Sequence, residues 1–296
     1  MIEIRRGLLF LVTAAVGTLA CTSAPAETPA PVEETATQTV PAASPLPPTE
    51  ETASERLNSS PRHGEWVDVT VPGSDVPIST WVVYPERSGP APVVLVIHEI
   101  FGLTDWIRGV ADQFAAEGFI AVAPDLLSGM GPEGGGTASL GSRDTVVATI
   151  RTLEPDERTR RLDAVRTYAL SMPAGNGRIG SVGFCWGGGA SFNYALDQPA
   201  LDAAVVYYGT SPEADRPYAG VNTPVLGLYG GNDERVNATI PIADAGMAGK
   251  SFEPIVYEGA GHGFLRAQLG QDGANLAATE QAWPRTLEFF KEHLER

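Results

Sequence analysis

Residues 62–296 predict a doubly wound α/β domain on a mostly parallel sheet, for three reasons. Strand-like apolar runs alternate with segments of helical period along the whole stretch. Several runs are apolar at every position, as strands covered on both faces require. Loops carrying Glu, Cys, Asp and His follow such runs directly, where doubly wound sheets bind their ligands.

Val67, Val69 and Val71 alternate with polar neighbours, residues 79–84 are rich in β-formers, and residues 93–97 form a continuous apolar run. Trp106, Val110 and Phe114 then recur at helical spacing, residues 119–123 read as a buried strand, and Leu162, Val165 and Ala169 mark a second amphipathic helix. Further strands are predicted at 179–184, 203–208, 225–229 and 254–257, and the chain closes on a helix carrying Leu287, Phe290 and Leu294. No internal repeat or second linker interrupts this order, so one domain is expected.

The segment before it has a different character. Arg5 and Arg6 precede an almost wholly apolar stretch over residues 7–16, and small residues lead to Ala20 and Cys21. This is the layout of an export signal, too short to span a bilayer comfortably. Cys21 after Ala20 resembles the lipobox of bacterial lipoproteins, although Thr18 and Leu19 depart from its usual order. The resemblance implies lipidation at Cys21 and a periplasmic or cell-envelope location. Residues 22–61 are rich in Pro, Ala, Thr, Ser and Glu and are expected to form a disordered tether. The domain boundaries read from the sequence are therefore 1–21, 22–61 and 62–296.

Of 296 residues, 43% are hydrophobic, enough for a sizeable core, and the formal net charge is −16. That charge argues against sequence-independent nucleic-acid binding, which depends on Lys and Arg neutralising phosphates. The two cysteines, Cys21 and Cys185, rule out a disulfide framework. No His, Cys or carboxylate group has metal-ligand spacing and no dinucleotide fingerprint follows the early strands, so no cofactor is expected. A small molecule is the expected partner of a monomer.

The chemistry concentrates at strand ends. Residues 179–184 run into Gly183-Phe184-Cys185-Trp186-Gly187-Gly188-Gly189 and then a helical stretch, the pattern of a nucleophile elbow with Cys in place of Ser. The helix N-terminus favours an anion there and so supports a thiolate. A phosphate loop would need a Lys and a Ser or Thr that are missing. Asp233 follows the strand at 225–229, and His262, flanked by Gly261 and Gly263, follows the strand at 254–257. Cys, Asp and His in this order match a triad in which Asp233 orients His262 and His262 serves Cys185. His98, after residues 93–97, is the competing base.

With His98-Glu99-Ile100-Phe101-Gly102 added, the sequence resembles the dienelactone hydrolase family of α/β-hydrolases over the whole domain. The resemblance implies that Glu99 lies beside Cys185 and helps ionise it, and that the backbone N–H groups of Trp186 and Ile100 form the oxyanion hole. It also implies that Arg266, four positions after His262, holds a substrate carboxylate, with Arg143 a second candidate beyond an irregular stretch at 134–142. The expected reaction is opening of a lactone or small ester, carboxylate-bearing, through a thioacyl enzyme. Two rivals stay open at this point: a general carboxylesterase on the same scaffold, and a lipid-tethered binding protein without turnover.

Overall fold

The computed structural model describes residues 45–295 together with Leu11 and Thr13. The chain divides into two units, Met1–Ala43 and Ser44–Arg296, and the second contains the sheet and its helices. Apart from Leu11 and Thr13, the expected export signal lies outside the described residues, as does Cys21.

The described strands are β1 (Gly64–Val69), β2 (Ile78–Val83), β3 (Ala91–Ile97), β4 (Ile120–Pro124), β5 (Gly175–Phe184), β6 (Ala203–Tyr207), β7 (Val225–Gly230) and β8 (Phe252–Tyr257). They form one sheet in the order β1-β2-β4-β3-β5-β6-β7-β8. β2 runs antiparallel to both β1 and β4, and every other pairing is parallel. The helices are α1 (Ala53–Asn58), α2 (Asp105–Ala116), α3 (Arg143–Ile150), α4 (Pro155–Leu170), α5 (Trp186–Asp197), α6 (Glu234–Asn237), α7 (Ile240–Gly246) and α8 (Ala274–Leu294). This is the single α/β-hydrolase domain that the sequence predicts.

The continuous apolar runs are explained by the two cores. In β3, Val93, Leu95 and Ile97 face one apolar layer, shared with α4, α5 and α7. Val94 and Val96 face the other, shared with α1, α2 and α8. A strand's side chains alternate between faces, so a strand covered on both sides needs apolar residues at every position. Leu95 is fully buried near the middle of the sheet. Leu95→Ala is expected to cost about 2–5 kcal/mol, read as a lower urea midpoint with unchanged slope.

The expected tether extends less far than the sequence suggested, because residues 45–61 belong to the folded unit. Pro47 and Pro48 are buried, α1 packs its Ala53 into the α2 and α8 layer, and the buried Trp106 indole N–H donates to the Pro48 carbonyl at 2.9 Å. Gln268 Nε2 donates to the Pro47 carbonyl at 3.0 Å, and Arg62 is paired with Asp112 of α2. Composition misled here because prolines need no periodicity to pack. Neither proline has an N–H to satisfy, and each carbonyl is capped by a side chain of the domain.

Candidate active site

The strand-to-helix turn after β5 places Cys185 at φ 56° and ψ −116°, a left-handed conformation that costs a non-glycine residue about 1–3 kcal/mol. Its surroundings enforce it. A Cβ on Gly183 would lie 1.8 Å from the Gly187 carbonyl oxygen, and one on Gly187 would lie 2.4 Å from the Ile97 carbonyl oxygen. The glycines therefore allow the turn to pass against itself and against the end of β3. The Cys185 N–H donates to the Tyr207 carbonyl at 3.0 Å, tying the elbow to β6. Cys185 is thereby fixed at the N-terminus of α5, as the motif predicts.

The other two triad candidates reach the same point from neighbouring loops. His262 Nε2 lies 3.1 Å from Cys185 Sγ, and His262 Nδ1 lies 2.5 Å from Asp233 Oδ2. Asp233 is buried and starts α6, its other oxygen accepting the Val236 N–H at 3.4 Å. The two loops are joined by the Asn232 N–H, which donates to the Ala260 carbonyl at 2.8 Å. The buried side chain of Asn275 on α8 accepts the Gly261 N–H at 2.8 Å. Cys185, His262 and Asp233 thus form one hydrogen-bonded line, with each end fixed by backbone.

His98 is no competitor for the base. It is fully buried, its Nε2 accepting the Leu126 N–H at 3.2 Å and its Nδ1–H donating to the Glu99 carbonyl at 2.8 Å. Burial holds its pKa below the ordinary histidine value. With both ring nitrogens engaged, His98 clamps the end of β3 to the loop after β4, and its ring stacks on Trp186 with centroids 5.8 Å apart.

The thiol of Cys185 is pushed up by burial and by the charge of Glu99, while the nearby backbone N–H groups of Trp186 and Ile100 oppose this. Those two amides, assigned by resemblance to an oxyanion hole, therefore lie near the Cys185 thiol. Glu99 acts on Cys185 through charge, and the hydrogen-bond partner of the thiol is His262 Nε2. The Glu99 carboxylate pairs instead with Arg266, whose Nε lies 2.9 Å away without the alignment of a true hydrogen bond. Arg266 and Arg143 come together beside it. Neither is free, however, because both are engaged by the carboxylate of Glu50, a residue of the strap that sequence reasoning passed over.

Burial pushes the Glu99 carboxyl from its ordinary 4.5 up to about 7, against the opposing pull of Arg266. An acid whose pKa rises on folding holds its proton more tightly in the native state, so stability falls as pH climbs from about 4.5 to about 7. The loss across that window is on the order of 3 kcal/mol. Glu99→Gln should flatten the decline when denaturant stability is measured at successive pH values, and parallel curves for the two proteins would contradict the assignment.

A cavity of about 420 Å³ opens onto the nucleophile, lined by Cys185, Ile100, Trp186, Tyr208, Arg151 and Arg235. Tyr208, which directly follows β6 at the same end of the sheet as the triad, lines this cavity too. Its side chain is fully buried. A larger cavity of about 710 Å³, lined in part by Asp68, Arg160, Asp163 and Tyr168, includes none of the triad. The irregular stretch before α3 contributes Thr137 and Ser142 to a third cavity, of about 270 Å³, beside Glu50, Phe101 and Arg143.

Comparison with known proteins agrees with this arrangement. The profile of the dienelactone hydrolase family matches residues 78–294. A Methylorubrum extorquens protein provisionally named a carboxymethylenebutenolidase is 32% identical over 247 residues, covering 76% of this chain and 80% of its own length. The carboxymethylenebutenolidase of Pseudomonas putida is 32% identical over 198 residues, 64% of this chain and 81% of that protein. A crystal structure from Klebsiella pneumoniae, provisionally named a dienelactone hydrolase, superposes with a TM-score of 0.67 at 27% identity, covering 77% of this chain and 98% of its own. With the elbow, the strand order and the Cys–His pair all in place, the chain belongs to the dienelactone hydrolase family.

Proposed function

We propose that this protein hydrolyses a lactone or small carboxylic ester through a thioacyl intermediate on Cys185. The observation that carries this reading is the continuous line from Asp233 through His262 to the Cys185 sulfur. In the first step His262 takes the thiol proton and the sulfur attacks the carbonyl carbon, moving the carbonyl electrons onto oxygen. The amides of Trp186 and Ile100 then stabilise that oxyanion. Collapse breaks the carbon–oxygen bond, and the departing alkoxide receives the proton from His262. Water, deprotonated by His262, attacks the thioester, and the thiolate leaves with the acid as product. Asp233 fixes the tautomer that keeps Nε2 available to the thiol.

Members named for carboxymethylenebutenolidase activity support a lactone, whereas the Cys–His–Asp line serves any accessible ester equally well. Measuring kcat/KM for cis-dienelactone and for simple aryl esters with one preparation separates the two. A clear preference for the lactone supports the narrower activity, and equal or better turnover of aryl esters supports a general carboxylesterase. Export with a lipid on Cys21 belongs to the same proposal, and the mass of the mature N-terminal peptide tests it.

A further inference from the structure

The strap that precedes β1 delivers a carboxylate to the pair of arginines beside the catalytic line. Pro47 and Pro48 are buried and their carbonyls are capped by Gln268 and Trp106, so the backbone next to Glu50 is held in place. The Glu50 N–H then donates to the Arg266 carbonyl at 3.1 Å. From that position its side chain reaches Arg143 Nη2 at 2.8 Å through one oxygen and Arg266 Nη1 through the other. Both guanidiniums lie over the ring of Phe101, with Arg143 Cζ 3.7 Å and Arg266 Cζ 5.5 Å from its centroid. Two planar donors and an aromatic floor make a receptor for one carboxylate, and its occupant is part of the same chain.

We infer that Glu50 is a specificity-determining residue: by filling the two-arginine receptor beside the catalytic line it selects against esters whose acyl group ends in a carboxylate, in favour of uncharged ones. This rests on the reading of Cys185 as the hydrolytic nucleophile. Two carboxylates, Glu50 and Glu99, already face the two guanidiniums. A third carboxylate would meet guanidiniums already engaged by Glu50 and Glu99 and the direct repulsion of Glu50, a cost that an uncharged acyl chain does not bear. The Glu50 N–H, donating to the Arg266 carbonyl, holds its backbone beside the receptor.

The test compares phenyl hexanoate with mono-phenyl adipate, whose acyl chains have equal length and differ in a terminal carboxylate. The wild-type protein is expected to favour the hexanoate. Glu50→Gln and Glu50→Ala are each expected to raise the adipate-to-hexanoate ratio of kcat/KM by roughly tenfold or more, chiefly through KM for the adipate ester. Adding Arg143→Ala to Glu50→Ala should abolish that gain, which a loss of folding alone could not imitate. Free adipate should inhibit the Glu50→Ala protein more strongly than the wild type. Thermal melting of both single variants checks that they fold, and the isosteric glutamine keeps the strap's packing. Wild-type preference for the adipate ester, or an unchanged ratio in both variants, overturns the role of Glu50. If turnover of both esters survives Cys185→Ala, the hydrolytic reading itself fails along with it.

Discussion

Cys185→Ala is expected to lower kcat/KM for a small aryl ester by about 10⁴-fold or more while leaving the fold intact. The sulfur is the nucleophile that His262 Nε2 addresses, at 3.1 Å, and among the described residues no hydroxyl takes that place. Without it, the two amides and the cavity can still bind and polarise an ester, but no covalent intermediate forms. Because Cys185 sits at a positive φ, alanine relieves none of the backbone strain, and the thermal midpoint should move little. Steady-state kinetics beside a melting curve separate the chemical effect from a structural one. A loss below tenfold would mean that the line of residues is not the catalytic machinery.

Asp233→Asn is expected to reduce kcat by about 10³- to 10⁴-fold at neutral pH. Asp233 is acceptor-only and 2.5 Å from His262 Nδ1, so it requires the proton on Nδ1 and leaves Nε2 bare toward the sulfur. An asparagine can turn its NH2 group to the ring, which reverses the tautomer and puts a proton where the base is needed. The Val236 N–H can still be accepted by the amide oxygen, so α6 should keep its cap. Retained melting temperature with lost turnover is the predicted combination. Little change in kcat would remove Asp233 from the line and leave His262 acting alone.

Much of this architecture was legible from local patterns. Each predicted strand is present: the central strands are covered on both faces and apolar at nearly every position, as residues 93–97 show, while β1 at the edge alternates apolar with polar residues. The elbow was legible because Gly183 and Gly187 have a steric requirement that their spacing around Cys185 expresses directly. Asp233 and His262 were found from their places after β7 and β8, where the topology of a parallel sheet concentrates ligand contacts.

What was not legible depends on contacts between distant segments. Glu50 lies in a stretch whose composition matches a tether, and its role emerges only when Pro47 and Pro48 seat against Gln268 and Trp106. The few large aliphatic residues of that stretch, Leu46 and Leu57 among them, were the one available signal. The pairing of Arg266 with both Glu50 and Glu99 could not be read either, since each partner comes from a different end of the fold. Arg143 and Arg266 could each be nominated from their positions, but the sequence could not show that the receptor they form is already filled. His98 stands at a strand end where a base could act, but both of its ring nitrogens are engaged by backbone groups of the loops beyond β3 and β4.

The central claim, a thioacyl enzyme on Cys185, is tested most directly by intact and peptide mass spectrometry after rapid mixing with an activated aryl ester and acid quench. One acyl group is expected on the peptide containing Cys185, formed at a rate that matches the burst of released phenol and absent from Cys185→Ala. His262→Ala should show labelling that is slowed or lost. Turnover of the ester with no acyl group on Cys185, or with the group on another residue, would contradict it.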